Sequence, residues 1–166
     1  MTKVFHELTN DIADTVLQHG LLLGGSGEKT DAEVHKADVF LNRYRPTPLL
    51  EQGVDRETNN YCYLSSGSGI IDITSGKTKS LKEFTTNTRL ALLQIDVDPT
   101  MCYVSDLDLY DQVKQLLQNT DLANARRLAH VYWDGLILLA NYRGDIHRPE
   151  VMVTYNIPPS SIARIN

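Results

Sequence analysis

The hydrophobic residues of this chain recur with two periods, one typical of helices and one typical of strands. Apolar residues repeat every three or four positions in segments 10–19, 32–44, 106–117 and 122–142, which predicts helices that bury one face. Shorter apolar or alternating runs between them predict strands. The predicted strands are residues 3–6, 60–65, 89–97, 101–104, 150–155 and, as an edge strand, 160–165.

Residues that start or end helices stand at the borders of these patterns. Asn10 or Asp11 is suited to cap the first helix through its side-chain oxygen, and Gly20 to end it in a left-handed conformation. The pair Asp134-Gly135 interrupts the longest helical pattern. Because helices and strands follow one another without regular strand–helix–strand alternation, we predict a single α+β domain over residues 1–166 rather than a doubly wound sheet.

Composition and charge narrow the class of protein. A chain of 166 residues with 42% hydrophobic residues is large enough for one core. The net charge of −5 argues against a broad basic surface for nucleic acid. Two cysteines are too few for a disulfide scaffold, and no basic region precedes an apolar run at the N-terminus. We therefore expect a cytoplasmic protein, and no membrane span, since the longest apolar stretch is residues 136–140.

Two segments resemble a phosphate-binding loop without matching it. The segment Gly24 to Thr30 has Glu28 where the motif requires glycine before lysine, and a carboxylate there would face the phosphate. Residues 75–78 have the Gly-Lys-Thr ending, but Ile71 occupies the position of the leading glycine. The five histidines lack the spacing of metal ligands, so neither a phosphate loop nor a metal site is predicted.

Three of the predicted strands each carry a side chain that suits one chemical task. His6 lies in the first, Tyr61 and Tyr63 in the second, and Glu150 begins the late strand. Cleavage of NAD between ribose and nicotinamide builds positive charge on the ribose, which a nearby carboxylate stabilises. An aromatic ring can stack on the departing nicotinamide, and a polar side chain can hold the other ribose. Glu, Tyr and His are therefore suitable if their strands line one cleft.

The context of these residues resembles the ADP-ribosyltransferase superfamily, which includes poly(ADP-ribose) polymerase-like and diphtheria-toxin-like transferases, DarT-like toxins and RNA 2′-phosphotransferases. Val4-Phe5-His6, followed by a helix and His19-Gly20-Leu21-Leu22, resembles the opening of these proteins. Tyr63-Leu64-Ser65 resembles their second motif. Pro149-Glu150-Val151-Met152-Val153, with Ile157-Pro158-Pro159 after it, resembles the third. The resemblance implies a split β-sheet with flanking helices.

The resemblance also implies a role for each residue. His6 would bond the adenosine ribose, Tyr63 would stack on nicotinamide, and Glu150 would engage the nicotinamide ribose. Tyr61 is an alternative to Tyr63, because residues two apart on a strand share a face. The family often has Gly-Ser or Gly-Thr after the histidine; this chain has Glu7-Leu8-Thr9, with Thr9 as a candidate ribose contact.

Arginines between the first two motifs are candidates for the pyrophosphate of NAD. Arg43, Arg45 and Arg56 stand there, and a guanidinium can bind phosphate oxygens through two hydrogen bonds. NAD would act as co-substrate, and no metal is expected.

The resemblance implies transfer of ADP-ribose to a macromolecule, and the acidic net charge favours a protein acceptor over nucleic acid. A compact chain of this kind suits a toxin, an effector or a defence factor. Three alternatives stay open: an NAD glycohydrolase with water as acceptor, an enzyme like the RNA 2′-phosphotransferases, and a non-enzymatic α+β binding module. An enzyme like the RNA 2′-phosphotransferases would depend on a basic set of residues that this sequence does not show.

Overall fold

The strands of the chain pair into one antiparallel sheet. In the computed structural model, residues 1–24 and 31–166 are described, and every strand pairing among them is antiparallel. These residues form nine strands: β1 (Thr2–Thr9), β2 (Asn60–Ser66), β3 (Gly69–Ile71), β4 (Thr78–Ser80), β5 (Leu90–Val97), β6 (Cys102–Asp106), β7 (Ile137–Leu138), β8 (Pro149–Val153) and β9 (Ile162–Arg164).

The order of the strands brings distant parts of the sequence side by side. Along the sheet the order is β7-β6-β8-β2-β1-β5-β9, and β3 and β4 extend from β2 as a small hairpin. β1 pairs with β5 over its whole length, from Thr2 to Thr9, but with β2 only through Val4 and Phe5. The first half of β2 pairs with β8 instead. The pairing of β1 with β2 therefore ends at Phe5, just before His6.

Helices cover both faces of this sheet. The described residues form six helices: α1 (Asn10–His19), α2 (Ala32–Arg43), α3 (Thr47–Glu51), α4 (Leu81–Phe84), α5 (Leu107–Gln118) and α6 (Leu122–Asp134). α1 packs on one face through Ala13 and Val16. α2, α5 and α6 pack together on the other face. Short 3₁₀ turns lie at Leu139–Asn141 and Pro159–Ser161.

The two faces have separate cores because side chains alternate along each strand. Cys62 and Val151 point into the core that contains α1. Their neighbours Tyr61 and Met152 contribute to the core under α2, α5 and α6. A third, smaller cluster joins Phe5 to the β3–β4 hairpin. The prediction of a single α+β domain is thus confirmed.

Most predicted elements are present, with differences at their borders. β1 is longer than predicted and runs straight into α1, because its pairing with β5 continues to Thr9. Thr9 is consequently the N-cap residue, without a side-chain cap bond, so the prediction of Asn10 or Asp11 as the cap is wrong. Asp106 caps α5 by accepting from Asp108 N at 2.8 Å.

Helix ends at glycine are predicted well. Gly20 follows α1 with a φ of +87°, and a Cβ there would lie 2.3 Å from the carbonyl oxygen of Ile157. Gly135 follows α6, so the long helical pattern ends at Asp134 and the chain continues into β7. The short elements α3, α4, β4 and β7 were absent from the prediction.

Of the two segments that resemble a phosphate-binding loop, the structure describes only the second in full. Residues 25–30 of the first segment lie outside the described residues. The second segment connects β3 to β4, where Ser75 Oγ donates to Asp72 Oδ2 at 2.6 Å. A strand rather than a helix follows it, unlike in a phosphate-binding loop. Across the described part of the chain, none of the helices has the length and apolar character required to cross a bilayer.

Candidate functional site

A cavity of about 150 Å³ opens where β1 and β2 separate. It receives side chains or backbone from β1, β2 and β8 and from the segment after β3. The lining residues are His6, Glu7, Tyr61, Cys62, Tyr63, Ile73 and Glu150. Four residues predicted from the sequence, His6, Tyr61, Tyr63 and Glu150, therefore meet at one cavity.

Strand register explains why Tyr61, Tyr63 and Glu150 meet. Tyr63 stands opposite Phe5 of β1 on one side and opposite Glu150 of β8 on the other. Directly opposed residues of antiparallel strands have Cβ atoms about 4.5–5.5 Å apart on the same face. Tyr61 lies two residues earlier on β2 and hence on that face. Pairing across three strands thus joins positions that are far apart in the sequence.

Glu150 is held by a buried ion pair. Arg56 Nη1 donates to Glu150 Oε2 at 2.8 Å, and Arg56 Nε donates to Asp38 Oδ1 at 3.0 Å. The exposed fractions of Arg56, Asp38 and Glu150 are 4%, 5% and 7%. Ser105 Oγ adds a longer bond of 3.4 Å to Glu150 Oε2. Both of these side-chain hydrogen bonds, from Arg56 and from Ser105, fall on Oε2 of Glu150.

Aromatic side chains surround the guanidinium of Arg56. Its Cζ lies 4.1 Å from the ring centre of Tyr61 and 4.3 Å from that of Tyr110, so the cation is held between two π faces. Tyr132 Oη lies 3.0 Å from Nη1. Burial by itself lowers the pKa of Arg56, but the nearby phenols of Tyr132 and Tyr61 and the carboxylates of Glu150 and Asp38 together hold it well above its ordinary value.

Tyr61 and Tyr63 have different surroundings. Tyr61 donates to the backbone oxygen of Arg56 at 2.7 Å, and one face of its ring is occupied by the Arg56 guanidinium. Burial raises the pKa of Tyr61 well above its ordinary value. Tyr63 contacts Phe84 edge to face, with ring centres 5.3 Å apart, and its hydroxyl lies 3.5 Å from Glu7 Oε2. Both rings line the cavity, and each is held by contacts with neighbouring side chains.

His6 is a neutral, desolvated imidazole. Burial lowers its pKa to about 4, even though a hydrogen bond with the backbone of Tyr61 opposes the shift. Its Nε2 atom is buried and, within the described residues, has no hydrogen-bond partner. An unpaired buried polar atom costs about 1–3 kcal/mol. A ligand hydroxyl that bonded to this nitrogen would remove that cost.

Glu7 brings a second carboxylate to the cavity. Burial raises its pKa, as does the negative charge of Asp72; the Tyr63 hydroxyl and Lys79 have the opposite effect. Asp72 and Lys79 form an ion pair at 2.8 Å, so their effects on Glu7 partly cancel. The carboxylates of Glu7 and Glu150 thus share one cavity in different electrostatic environments.

Other residues proposed from the sequence lie elsewhere. Thr9 is exposed at the end of β1 and is not among the lining residues. Arg43 is exposed at the end of α2. Arg45 pairs with Asp55 at 3.0 Å. Arg56 contacts the site, but its donors bond Asp38 and Glu150 rather than projecting into open space.

Sequence reasoning missed the residues that hold Arg56. Asp38, Tyr110 and Tyr132 come from α2, α5 and α6, and none belongs to a motif. One signal was present: Asp38 lies on the apolar face of α2, beside Ala37 and one turn before Leu41. A carboxylate at such a position needs a buried partner.

The chemical groups that line the cavity are two carboxylates, a neutral imidazole, two phenol rings and a thiol. In the part of the chain that the structure describes, no group of three or more His, Cys, Asp or Glu residues is arranged to hold a metal ion. Comparison with protein-family models, curated proteins and solved structures finds no match to this chain.

Proposed function

We propose that this protein is an NAD-dependent ADP-ribosyltransferase that transfers ADP-ribose to a macromolecule and releases nicotinamide. The observation that carries the proposal is the convergence of His6, Tyr63 and Glu150 on one cavity from three adjacent strands. The resemblance assigned roles to these three residues, which lie in separate parts of the sequence.

Glu150 is suited to assist cleavage of the bond between ribose C1′ and nicotinamide nitrogen. When the bond breaks, its electron pair goes to nicotinamide, which leaves as a neutral molecule, and the ribose becomes positively charged. A carboxylate fixed beside the ribose stabilises that charge where it develops. Arg56 fixes Oε2 of Glu150 at 2.8 Å, so Oε1 is the oxygen we assign to the ribose.

Tyr63 is the better candidate for stacking on nicotinamide. Both tyrosines line the cavity, and Tyr63 is the one that the resemblance assigns to stacking; the ring of Tyr61 has the guanidinium of Arg56 on one face. His6, neutral at pH 7, offers Nε2 to a ribose hydroxyl. The cavity is smaller than a typical ligand pocket of roughly 300–1,000 Å³, so we expect it to receive the nicotinamide end of NAD only.

Labelled NAD tests the proposal directly. Purified protein is incubated with NAD labelled in its adenylate part and with cell lysate, and both labelled macromolecules and free nicotinamide are measured. We expect Glu150→Gln to lower transfer about 100-fold or more, because it removes the negative charge that the transition state requires. Glu51→Gln, an exposed residue of α3, is the matched control.

Stacking by Tyr63 is tested in the same assay. We expect Tyr63→Phe to retain most activity because the ring remains, and Tyr63→Ala to lose it. Far-ultraviolet circular dichroism and urea unfolding of each variant separate loss of chemistry from loss of fold.

Each alternative has its own outcome. Equal labelling by Glu150→Gln and the wild type would remove the role assigned to Glu150. Free nicotinamide without a labelled macromolecule would identify water as the acceptor and the protein as a glycohydrolase. A ligand that binds only the folded state stabilises it by about 2.7 kcal/mol at a hundredfold excess over Kd. Absence of both NAD consumption and thermal stabilisation by NAD would favour a binding module.

A further inference from the structure

We infer that Glu7 is the general base of this site, and that the acceptor is an O–H or N–H nucleophile whose proton must be removed during transfer. The inference rests on the proposed function and extends it to the chemistry of the acceptor. The residue after His6 in the resembled family is often glycine, so the role does not come from that resemblance.

The position of Glu7 supports this assignment. Glu7 lies on the same face of β1 as Phe5, which stands opposite Tyr63. Its Oε2 is 3.5 Å from the hydroxyl of Tyr63, the ring assigned to nicotinamide. Glu7 and Glu150 both line the cavity, from strands that flank β2 on opposite sides. A substrate held against Tyr63 therefore has a carboxylate on either side.

The two carboxylates are suited to different tasks. Glu150 is fixed beside the buried guanidinium of Arg56 at 2.8 Å, and the proposed function assigns it to the ribose. Burial raises the pKa of Glu7, which makes it a stronger base than an exposed glutamate. Paired carboxylates in contrasting environments commonly divide acid–base work from electrostatic stabilisation.

The step is balanced in atoms and charge. The acceptor X–H gives its proton to the Glu7 carboxylate as X forms a bond to ribose C1′. The bond from C1′ to the nicotinamide nitrogen breaks, and its electrons leave with nicotinamide. The products are ADP-ribosyl-X, neutral nicotinamide and protonated Glu7, which returns its proton to water. A carboxylate acceptor would need no such base.

The groups around Glu7 determine the pH dependence. They are Tyr63 on β2, Asp72 after β3 and Lys79 on β4, with His6 and Glu150 also lining the cavity. Because the base must be deprotonated, activity should rise with pH through the raised pKa of Glu7. The Tyr63 hydroxyl lowers this pKa, so Tyr63→Phe should move the rising limb of the profile to higher pH.

Glu7→Gln, Glu7→Ala and the control Glu51→Gln test the inference. We expect Glu7→Gln to slow NAD consumption at pH 7 about 100-fold or more, to abolish the rising limb, and to leave the Kd for NAD within about twofold. Azide is an anionic nucleophile that needs no base. It should restore NAD consumption by Glu7→Ala at least about tenfold, forming ADP-ribosyl azide, and should not restore Glu150→Ala.

The outcomes separate this inference from the proposed function. An active wild type whose rate and pH profile are unchanged by Glu7→Gln would overturn the role of Glu7 alone. Loss of NAD affinity in Glu7→Gln would also overturn it, because Glu7 would then be a binding residue. Failure of azide to restore Glu7→Ala would contradict a role in proton removal. A wild type that neither binds nor consumes NAD would overturn both proposals.

Discussion

Replacement of Arg56 by methionine probes the buried ion pairs behind the cavity. Arg56 Nη1 bonds Glu150 at 2.8 Å and Nε bonds Asp38 at 3.0 Å, in surroundings from which water is excluded. Methionine has a similar length and can stay between the aromatic rings of Tyr61 and Tyr110, where sulfur–ring contacts are favourable. The substitution therefore removes the positive charge while retaining much of the packing.

The expected loss is about 3–5 kcal/mol of unfolding free energy. That is the usual cost of breaking a buried ion pair from one side, because the remaining charge stays buried without compensation. Here two carboxylates, Asp38 and Glu150, lose the same partner. The triple variant Arg56→Met, Asp38→Leu, Glu150→Met should recover most of the loss, since it leaves no buried charge.

Urea unfolding followed by tryptophan fluorescence measures this loss. Trp133 is the single tryptophan; it is buried and donates to the backbone oxygen of Leu41 at 2.8 Å. With a slope of about 1–3 kcal/mol per molar urea, the midpoint should fall by about 2 M. A loss of unfolding free energy below about 1 kcal/mol would show that Asp38 and Glu150 do not depend on Arg56 for their burial.

The dependence of the unfolding free energy of Arg56→Met on pH gives an independent check. Burial raises the pKa of Asp38 even beside Arg56, whose charge opposes the shift. Without Arg56 that pKa rises further, so the folded variant binds more protons than its unfolded state, and its stability falls as pH rises. The unfolding free energy of Arg56→Met should thus lie further below that of the wild type at pH 7 than at pH 5. An equal deficit at both pH values would contradict this account.

Two further predictions concern the folded state. Burial lowers the pKa of His6 from 6.5 to about 4, so the free energy of unfolding should fall by about 3 kcal/mol as the pH drops from 6.5 to 4. In urea titrations, His6→Asn should flatten this dependence of the unfolding free energy on pH. The control His19→Asn, at an exposed histidine, should leave it unchanged. Gly20→Ala should lower the free energy of unfolding, measured by thermal unfolding, by about 1–3 kcal/mol more than Gly67→Ala. Both glycines have a positive φ, but only at Gly20 would a Cβ atom lie 2.3 Å from the carbonyl oxygen of Ile157. An equal loss in the two variants would contradict this prediction.

Helices with a long apolar repeat and a residue that ends the helix could be predicted from the sequence. α2 was expected over residues 32–44 and spans Ala32–Arg43, and α6 ends before Gly135 as expected. β4 and β7 have three and two residues, too few to show a period. Such short strands depend on hydrogen bonds from a neighbour, which a local pattern does not contain.

The sequence by itself supplied candidates for the cavity: His6, Tyr61, Tyr63 and Glu150 were proposed from their residue types, their order and the resemblance of their motifs. Only the tertiary structure decided their surroundings. The register of β2 between β1 and β8 brings Tyr61, Tyr63 and Glu150 together, His6 lines the same cavity, and folding places Arg56 against Glu150, 94 positions apart in the chain. Side-chain periodicity is local and can be read along the sequence, whereas strand register and the pairing of buried charges depend on packing between distant segments.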